Sequence, residues 1–100
     1  MNNNPKINIL ILNWNGMGII SDCLKSVINI CYDNYFITVI DNGSTDGSID
    51  YIKKEFKNIA IFENNLNYGF SKGYNNYFNY NKDDDVDYYL ILNNDTIVDS

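Results

Sequence analysis

The chain has 100 residues, of which 45% are hydrophobic and 15% aromatic, which suits one α/β unit and is too short for two independent hydrophobic cores. Its formal net charge is -6, so the clustered basic surface that binds a nucleic-acid backbone is missing and nucleic acid is excluded as a partner. The apolar runs are far shorter than the roughly 20 residues of a membrane span, and the N-terminus lacks the pattern of a secretory signal. We therefore expect a cytoplasmic protein.

The first predicted elements are a buried strand and an amphipathic helix. The strand covers residues 7–12, which are almost all aliphatic or β-branched and lie between Pro5 and a polar turn, a pattern typical of a strand buried on both faces. Apolar residues recur at three- and four-residue intervals over residues 17–31, which predicts a helix. That helix carries Cys23 and Cys31 on no metal-binding spacing, so we expect two reduced thiols in the core.

Further strands and helices alternate along the rest of the chain. A strand over residues 36–40 leads into turn formers and helix caps at residues 41–48, and a helix carrying Ile49, Ile52 and Phe56 follows. The remaining elements are a strand over residues 59–62, a helix over residues 69–78 with Phe70, Tyr74, Tyr77 and Phe78 on one face, an acidic solvated connection over residues 82–87, and a strand over residues 88–92. This alternation predicts βαβ crossovers and an α/β fold with a mainly parallel sheet of about four strands.

Polar residues follow every predicted strand. In an open parallel sheet, ligands bind beyond the carboxyl ends of the strands, so these residues are the candidates for a site. Loops are polar in most proteins, but four polar strand ends that include the carboxylates Asp41 and Asp95 favour a ligand site over chance. The four segments are Asn13-Trp14-Asn15, Asp41-Asn42, Glu63-Asn64-Asn65 and Asn93-Asn94-Asp95.

Four segments resemble, in order and spacing, the successive landmarks of family 2 glycosyltransferases of the GT-A fold. They lie at residues 7–15, 39–48, 67–70 and 90–96, and the match covers nearly the whole chain. The Asn-Trp-Asn-Gly start and the Leu-Asn-Asn-Asp-Thr segment are most similar to the rhamnosyltransferase-like branch that builds bacterial cell-surface polysaccharide. The resemblance implies that residues 1–100 are the N-terminal, nucleotide-sugar-binding part of an inverting enzyme that transfers sugar to a saccharide or lipid-linked acceptor.

The resemblance also implies roles for individual residues. Asp41 would hydrogen-bond the base of the donor, because an ionised carboxylate accepts the imide N–H of uracil or thymine in a UDP- or dTDP-linked sugar. Asp95 stands at the last position of the family's Asp-x-Asp motif and is the expected ligand of Mg²⁺ or Mn²⁺ on the diphosphate. The first acid of that motif is Asn93 here, so we expect weak metal binding before the donor arrives. The other implied donor-binding residues are Asn13, Asn15, Gly69, Lys72, Asn93 and Asn94.

Two expectations concern what lies around this donor site. Trp14 would either line the nucleoside pocket or pack beside the first strand. The general base of the family lies well downstream of Asp95, and the sequence stops at Ser100; we therefore expect no catalytic residue within the chain, donor binding without turnover, and self-association through an unpaired sheet edge. The full-length protein would work in the cytoplasm or at the inner face of the membrane.

Three other functions share parts of this pattern. A dinucleotide-binding unit would explain Gly16 and Gly18 with Asp41 downstream, but Ser21 stands where the third glycine of that motif packs the helix against the strand. A phosphoryl-accepting signalling domain would carry paired acids directly after the first strand, where Asn13 and Asn15 stand instead. A unit that only binds a nucleotide-sugar or a partner chain, without turnover, is the third alternative.

Overall fold

The computed structural model describes residues 4–81 and 85–99 of the chain. Strands and helices alternate along the sequence, and all four strands are parallel, in the order β3-β2-β1-β4. This confirms the predicted α/β fold class. The elements are β1 (Ile7–Asn13), α1 (Ile20–Val27), β2 (Tyr35–Asn42), α2 (Ser48–Glu55), β3 (Ala60–Asn64), α3 (Gly69–Tyr80) and β4 (Tyr88–Leu92).

Helices cover both faces of the sheet because successive side chains of a strand point to opposite sides. Ile9 and Ile11 of β1 join the buried residues of α1 and α2 in the larger core cluster, whereas Leu10 joins Tyr74 and Tyr77 of α3 in the smaller one. The chain runs outward from β1 to β2 and β3 and then returns to the other side of β1 for β4. The strand order therefore reverses beside β1, which is where open α/β sheets bind ligands.

Helix α1 is shorter than predicted, and this changes the environment of one cysteine. The backbone N–H groups of Asn29 and Ile30 bond to carbonyls three residues earlier, and the Asn29 side chain bonds to the carbonyl of Lys25, so the helix ends at Val27. Cys23 is buried as expected, but Cys31 lies beyond the helix end and is exposed. The prediction of a core position for Cys31 is therefore wrong.

Other predicted features differ in extent. Strands β1, β2 and β3 continue into the polar residues that were expected to follow them, because parallel backbone pairing extends to the pairs Asn13↔Asp41 and Asn42↔Asn64. The side chain of Trp14 is 52% exposed, so it is not packed in the core. Part of the predicted acidic connection, residues 82–84, lies outside the described residues. Among residues 4–81 and 85–99, no helix combines the length and apolarity that a bilayer crossing requires.

Helix α3 is fixed to the sheet by a layer of asparagine side chains. Asn64 donates to Oδ1 of Asn42 at 2.9 Å, and the amide of Asn42 donates to the carbonyl of Gly69 at 3.0 Å. Gly73 makes this approach possible, because a Cβ built there would lie 2.9 Å from Asn42 Oδ1 and 3.1 Å from Leu12 Cδ1. The first turns of α3 therefore lie directly against the ends of β1 and β2.

We expect Gly73→Ala to lower the free energy of unfolding by about 1 kcal/mol. Overpacking a buried contact costs about 1–3 kcal/mol, and the better helix propensity of alanine offsets only about 1 kcal/mol of it. Urea denaturation followed by circular dichroism measures the difference. Gly18→Ala is the matched control, because a Cβ at Gly18 meets no atom within 4 Å; equal midpoints for the two variants would contradict the proposed contact.

Candidate functional site

The site is centred on two polar side chains at the ends of neighbouring strands. Asn13 and Asp41 are paired in the register of β1 and β2, and both are buried. The amide nitrogen of Asn13 lies 3.1 Å from Asp41 Oδ1, 3.2 Å from Ser44 Oγ and 2.9 Å from Ser48 Oγ. Because a carboxylate only accepts hydrogen bonds, Asp41 determines which way the Asn13 amide faces.

The carboxylate of Asp41 is also bonded within its own loop. The backbone N–H of Ser44 donates to Oδ2 at 2.9 Å, and the Ser44 hydroxyl donates to Oδ1 at 2.6 Å. Such side-chain bonds to a nearby backbone N–H are how aspartate stabilises turns. Asp41 therefore shapes the loop after β2, and it also lies at the wall of the adjoining cleft.

The loop after β1 is joined to the loop after β2 by Asn15. Its backbone N–H donates to Ser44 Oγ at 2.8 Å, and its side-chain Oδ1 accepts from the N–H of Thr45 at 2.7 Å. Asn15 has a positive φ of 50°, a conformation that asparagine tolerates better than most residues. The structure thus uses the side chain of Asn15 to connect two loops of the site.

A cleft of about 470 Å³ opens between the loop after β2 and the end of β3. Its charged residues are three acids, Asp41, Asp50 and Glu63, and one base, Lys53, whose Nζ lies 3.3 Å from Glu63 Oε2 in an exposed ion pair. A cleft with this charge repels phosphate and suits a neutral group that donates hydrogen bonds. The other lining residues are Gly43, Ser44, Thr45, Gly47, Ile49, Asn64 and Asn65.

Two residues implied by the resemblance lie at the start of α3. Gly69 has a φ of 77°, which favours glycine, and its carbonyl accepts the amide of Asn42. The ammonium group of Lys72 lies 4.8 Å from the centre of the Tyr68 ring in a cation–π contact. Neither Gly69 nor Lys72 lines the cleft beside Asp41.

The segment after β4 packs against the loop after β1. A Cβ at Gly16 would lie 2.2 Å from Asn13 Oδ1 and 2.8 Å from Asn94 Nδ2, so the absence of a side chain at Gly16 lets Asn94 approach Asn13. The carbonyl of Asn93 accepts from the backbone N–H of Thr96 at 3.1 Å. The structure therefore places the Asp41 end and the Asp95 end of the predicted site on the two strands that flank β1.

Asp95 is the acid that could hold a cation at this edge. Its side chain is exposed, and no group of three or more His, Cys, Asp or Glu residues in the described part of the chain is arranged to bind a metal. Burial, and then the nearby carboxylate of Asp95, raise the pKa of the Cys23 thiol, which keeps that thiol protonated and unsuited to metal binding. A cation here would need other ligands, and one carboxylate with phosphate oxygens and water is a usual set for Mg²⁺.

Several residues of this site escaped the sequence-based prediction. Ser44 and Ser48 were recognised only as turn or cap residues, although they hydrogen-bond Asn13 or Asp41. Gly16 was considered only for the dinucleotide-binding alternative, although it lies against Asn13. The one feature of the sequence that could have indicated them is their position, since each lies within a few residues of a polar strand end. The fold and these residues together define an α/β unit with a candidate polar ligand site at the carboxyl edge of a parallel sheet.

Comparison with known proteins identifies the family. The pattern of the family described as Glycosyl transferase family 2 matches residues 8–100. The poly(ribitol-phosphate) beta-glucosyltransferase of Bacillus spizizenii is 36% identical over 69 residues, which are 64% of this chain and 11% of that protein. An uncharacterized glycosyltransferase of Haemophilus influenzae is 35% identical over 78 residues, which are 75% of this chain and 24% of that protein. The chain belongs to glycosyl transferase family 2.

Solved structures share the fold. The mannosyltransferase PcManGT from Pyrobaculum calidifontis, in complex with GDP-Man and Mn²⁺, matches with a TM-score of 0.85 and 15% identity over 97% of this chain and 29% of that chain. S. aureus TarS matches with a TM-score of 0.76 and 20% identity over 90% of this chain and 16% of that chain. The family assignment excludes the dinucleotide-binding and signalling alternatives, while the rhamnosyltransferase-like branch stays a prediction.

We expect the contribution of Asp46 to stability to depend on pH. The Ser48 hydroxyl, with the N–H groups of Met17 and Ser48, holds the pKa of Asp46 below its ordinary value of 3.8 against a smaller opposing effect of burial. A carboxyl whose pKa is lowered by folding stabilises the protein above its unfolded pKa, and this stabilisation is lost as the pH falls through the folded pKa. Asp46→Asn should therefore be less stable than wild type at neutral pH.

Denaturant midpoints of wild type and Asp46→Asn, measured from neutral pH to below 3.8, should converge at the acid end. Asp33→Asn, at an exposed aspartate, serves as the control and should change the midpoint little at any pH. A difference between wild type and Asp46→Asn that stays constant over the whole range would contradict the role of the ionised carboxylate.

Proposed function

We propose that residues 1–100 are the nucleotide-sugar-binding part of a glycosyltransferase that transfers sugar from a UDP- or dTDP-linked donor to a saccharide or lipid-linked acceptor. The reaction would serve cell-surface polysaccharide synthesis, in the cytoplasm or at the inner face of the membrane. The observation that carries the proposal is a buried carboxylate, Asp41, at the wall of a cleft, with an exposed carboxylate, Asp95, at the end of a strand on the other side of β1. The names of the relatives, a glucosyltransferase and a mannosyltransferase with GDP-Man and Mn²⁺, support it.

The cleft beside Asp41 suits the base of the donor. Its acidic lining disfavours the diphosphate, whereas the imide N–H of uracil or thymine would form a charge-assisted hydrogen bond with the carboxylate. Asn13 and Ser44 hold that carboxylate in place before any ligand binds. We assign the base to this end of the site, with Asn13 as a residue that supports Asp41.

The diphosphate would lie at the opposite end, beside Asp95. We propose that Asp95 holds Mg²⁺ or Mn²⁺ together with the donor phosphates, while Asn93 and Asn94 hydrogen-bond the donor. When bound, the cation would neutralise the charge that develops on the departing nucleoside diphosphate. Because Asn93 adds no charge, cation affinity should depend on the donor being present. Lys72 and Gly69, at the start of α3, remain candidates for contact with the nucleotide.

Transfer also requires a general base to deprotonate the acceptor. The two carboxylates of the site, Asp41 and Asp95, are assigned to the base and the cation. The chain spans 11% and 24% of the two glycosyltransferase relatives, which supports a division of the reaction between these residues and others. We therefore propose that residues 1–100 bind the donor without turning it over.

Titration calorimetry should show that UDP binds more tightly with Mn²⁺ than with a chelator. Asp95→Ala should remove the gain from Mn²⁺ and leave metal-free binding unchanged, while Asp99→Ala, at an exposed aspartate, should change neither. UDP methylated at N3 should bind at least about tenfold more weakly than UDP, with and without metal, because it cannot donate a hydrogen bond to the buried carboxylate of Asp41.

Three results would contradict these assignments separately. Absence of UDP binding would argue against the donor site as a whole. Equal affinities for UDP and its N3-methyl derivative would remove Asp41 from base recognition. Multiple-turnover glycosyl transfer by this chain, abolished by Asp95→Ala, would show that the catalytic machinery is present within it.

We also propose self-association through the free edge of β4. Within the described residues β4 pairs with β1 alone, and its side chains are exposed on both faces, including Leu90 at 45% and Ile91 at 44%. An exposed apolar edge strand is a template for pairing with a second strand. A second copy of the chain offers the same edge.

Sedimentation velocity should show a dimer whose population rises with protein concentration. Ile91→Lys should shift it toward monomer, because a charge on an edge strand opposes strand pairing. Ile28→Lys is the control, since Ile28 is comparably exposed at 48% but follows α1, away from the edge. A wild-type chain that stays monomeric at high concentration would contradict the proposal.

A further inference from the structure

The carboxylate of Asp41 has little hydrogen-bonding capacity left for a ligand. An ionised carboxylate accepts about four hydrogen bonds, two on each oxygen. Oδ1 already accepts from the Ser44 hydroxyl at 2.6 Å and from the Asn13 amide at 3.1 Å, and Oδ2 accepts from the Ser44 N–H at 2.9 Å. Oδ1 is therefore filled, and one position remains on Oδ2.

The direction of the Ser44 hydroxyl follows from its neighbours. Ser44 Oγ lies 2.8 Å from the backbone nitrogen of Asn15 and 3.2 Å from the amide nitrogen of Asn13. Both nitrogens are donors, so the single hydroxyl hydrogen is left for Asp41. The Asn13 nitrogen, by contrast, has two hydrogens for three acceptors. The Ser44 hydroxyl is thus the stronger of the two donors that occupy Oδ1.

Nucleotide bases differ in the number of donors that they present to a carboxylate. Uracil and thymine present one, the imide N–H between two carbonyl groups. Guanine presents two adjacent donors, the ring N1–H and the exocyclic amine, which match the two oxygens of a carboxylate in parallel bonds. Where Oδ1 is filled, the second donor of guanine would be buried without an acceptor, which costs about tenfold or more in affinity.

We propose that Ser44 is a positioning residue that sets base specificity: by occupying Oδ1 of Asp41, it leaves one acceptor position and excludes guanine nucleotides in favour of uracil and thymine nucleotides. The inference rests on the proposed function, in which Asp41 faces the base. Removing the Ser44 hydroxyl would free one position on Oδ1 beside the free position on Oδ2. Guanine could then bind with both of its donors paired.

Calorimetric titration of UDP and GDP into the chain, with Mn²⁺ present, tests this proposal. Wild type should prefer UDP by about tenfold or more, and Ser44→Ala should reduce that ratio about tenfold through tighter GDP binding. Ser44→Thr keeps a hydroxyl and is the control, which should preserve the ratio. Partial unfolding of Ser44→Ala would weaken the binding of both nucleotides equally, so it could neither produce nor hide the expected change in the ratio of affinities.

Inosine diphosphate provides a test that needs no variant. It keeps the ring N1–H of guanine and lacks the exocyclic amine, so wild type should bind it about tenfold more tightly than GDP. Equal affinities of wild type for inosine diphosphate and GDP, or a UDP-to-GDP ratio that Ser44→Ala leaves unchanged, would overturn the inference while UDP binding still supported the donor site. Absence of binding of all three nucleotides to wild type would instead overturn the proposed function.

Discussion

The hydrogen bond between Asn13 and Asp41 is the contact on which the rest of the site depends. Asp41 is only 3% exposed, and a buried charge is tolerated when hydrogen bonds satisfy it. The parallel register of β1 and β2 places Asn13 directly beside it, and Ser44 supplies the remaining bonds from the following loop. The register of the sheet thus fixes the position of the Asp41 charge. The hydrogen bonds that satisfy this charge then fix the conformation of the following loop.

The two carboxylates of the site lie in opposite environments, which suits two different tasks. Asp41 is buried and held by hydrogen bonds that exist without a ligand, so it would lose little conformational entropy on accepting the proposed base. Asp95 is exposed, and a single exposed carboxylate holds a divalent cation weakly. The proposed base end of the site is preorganised, whereas the proposed cation end would be completed by the ligand.

Periodicity was sufficient to predict the fold, because strands and helices of this chain bury their apolar residues in the regular way. It failed where polar side chains decide the outcome. The side chain of Asn29 helps to end α1 and leaves Cys31 exposed, and polar strand ends such as Asn42 and Asn64 stay in the sheet because backbone pairing continues through them. The spacing of apolar residues along the sequence carries no information about such hydrogen bonds.

The candidate site was predictable in part for the same reason. Asp41 and Asp95 stand out in the sequence because charged residues at strand ends are chemically distinctive. The two serines that accept from Asn13, Ser44 and Ser48, are separated from it by about thirty positions in the chain. A serine in a loop rich in serine, glycine and threonine gives no sign of what its hydroxyl contacts. Only the register of β1 against β2 brings Ser44 and Asn13 to the same oxygen.

The asparagines around the site explain why its negative charge is confined to so few positions. An asparagine amide both donates and accepts, so the layer of Asn42 and Asn64 links β2, β3 and α3 without adding charge. Aspartates there would face each other as buried acceptors, which the protein could not satisfy at acceptable cost. In the proposed function, an asparagine at position 93 likewise leaves Asp95 as the single charge beside the diphosphate. Cation and donor should therefore bind together, since the cation neutralises the phosphates and the phosphates supply the ligands that Asp95 alone does not provide.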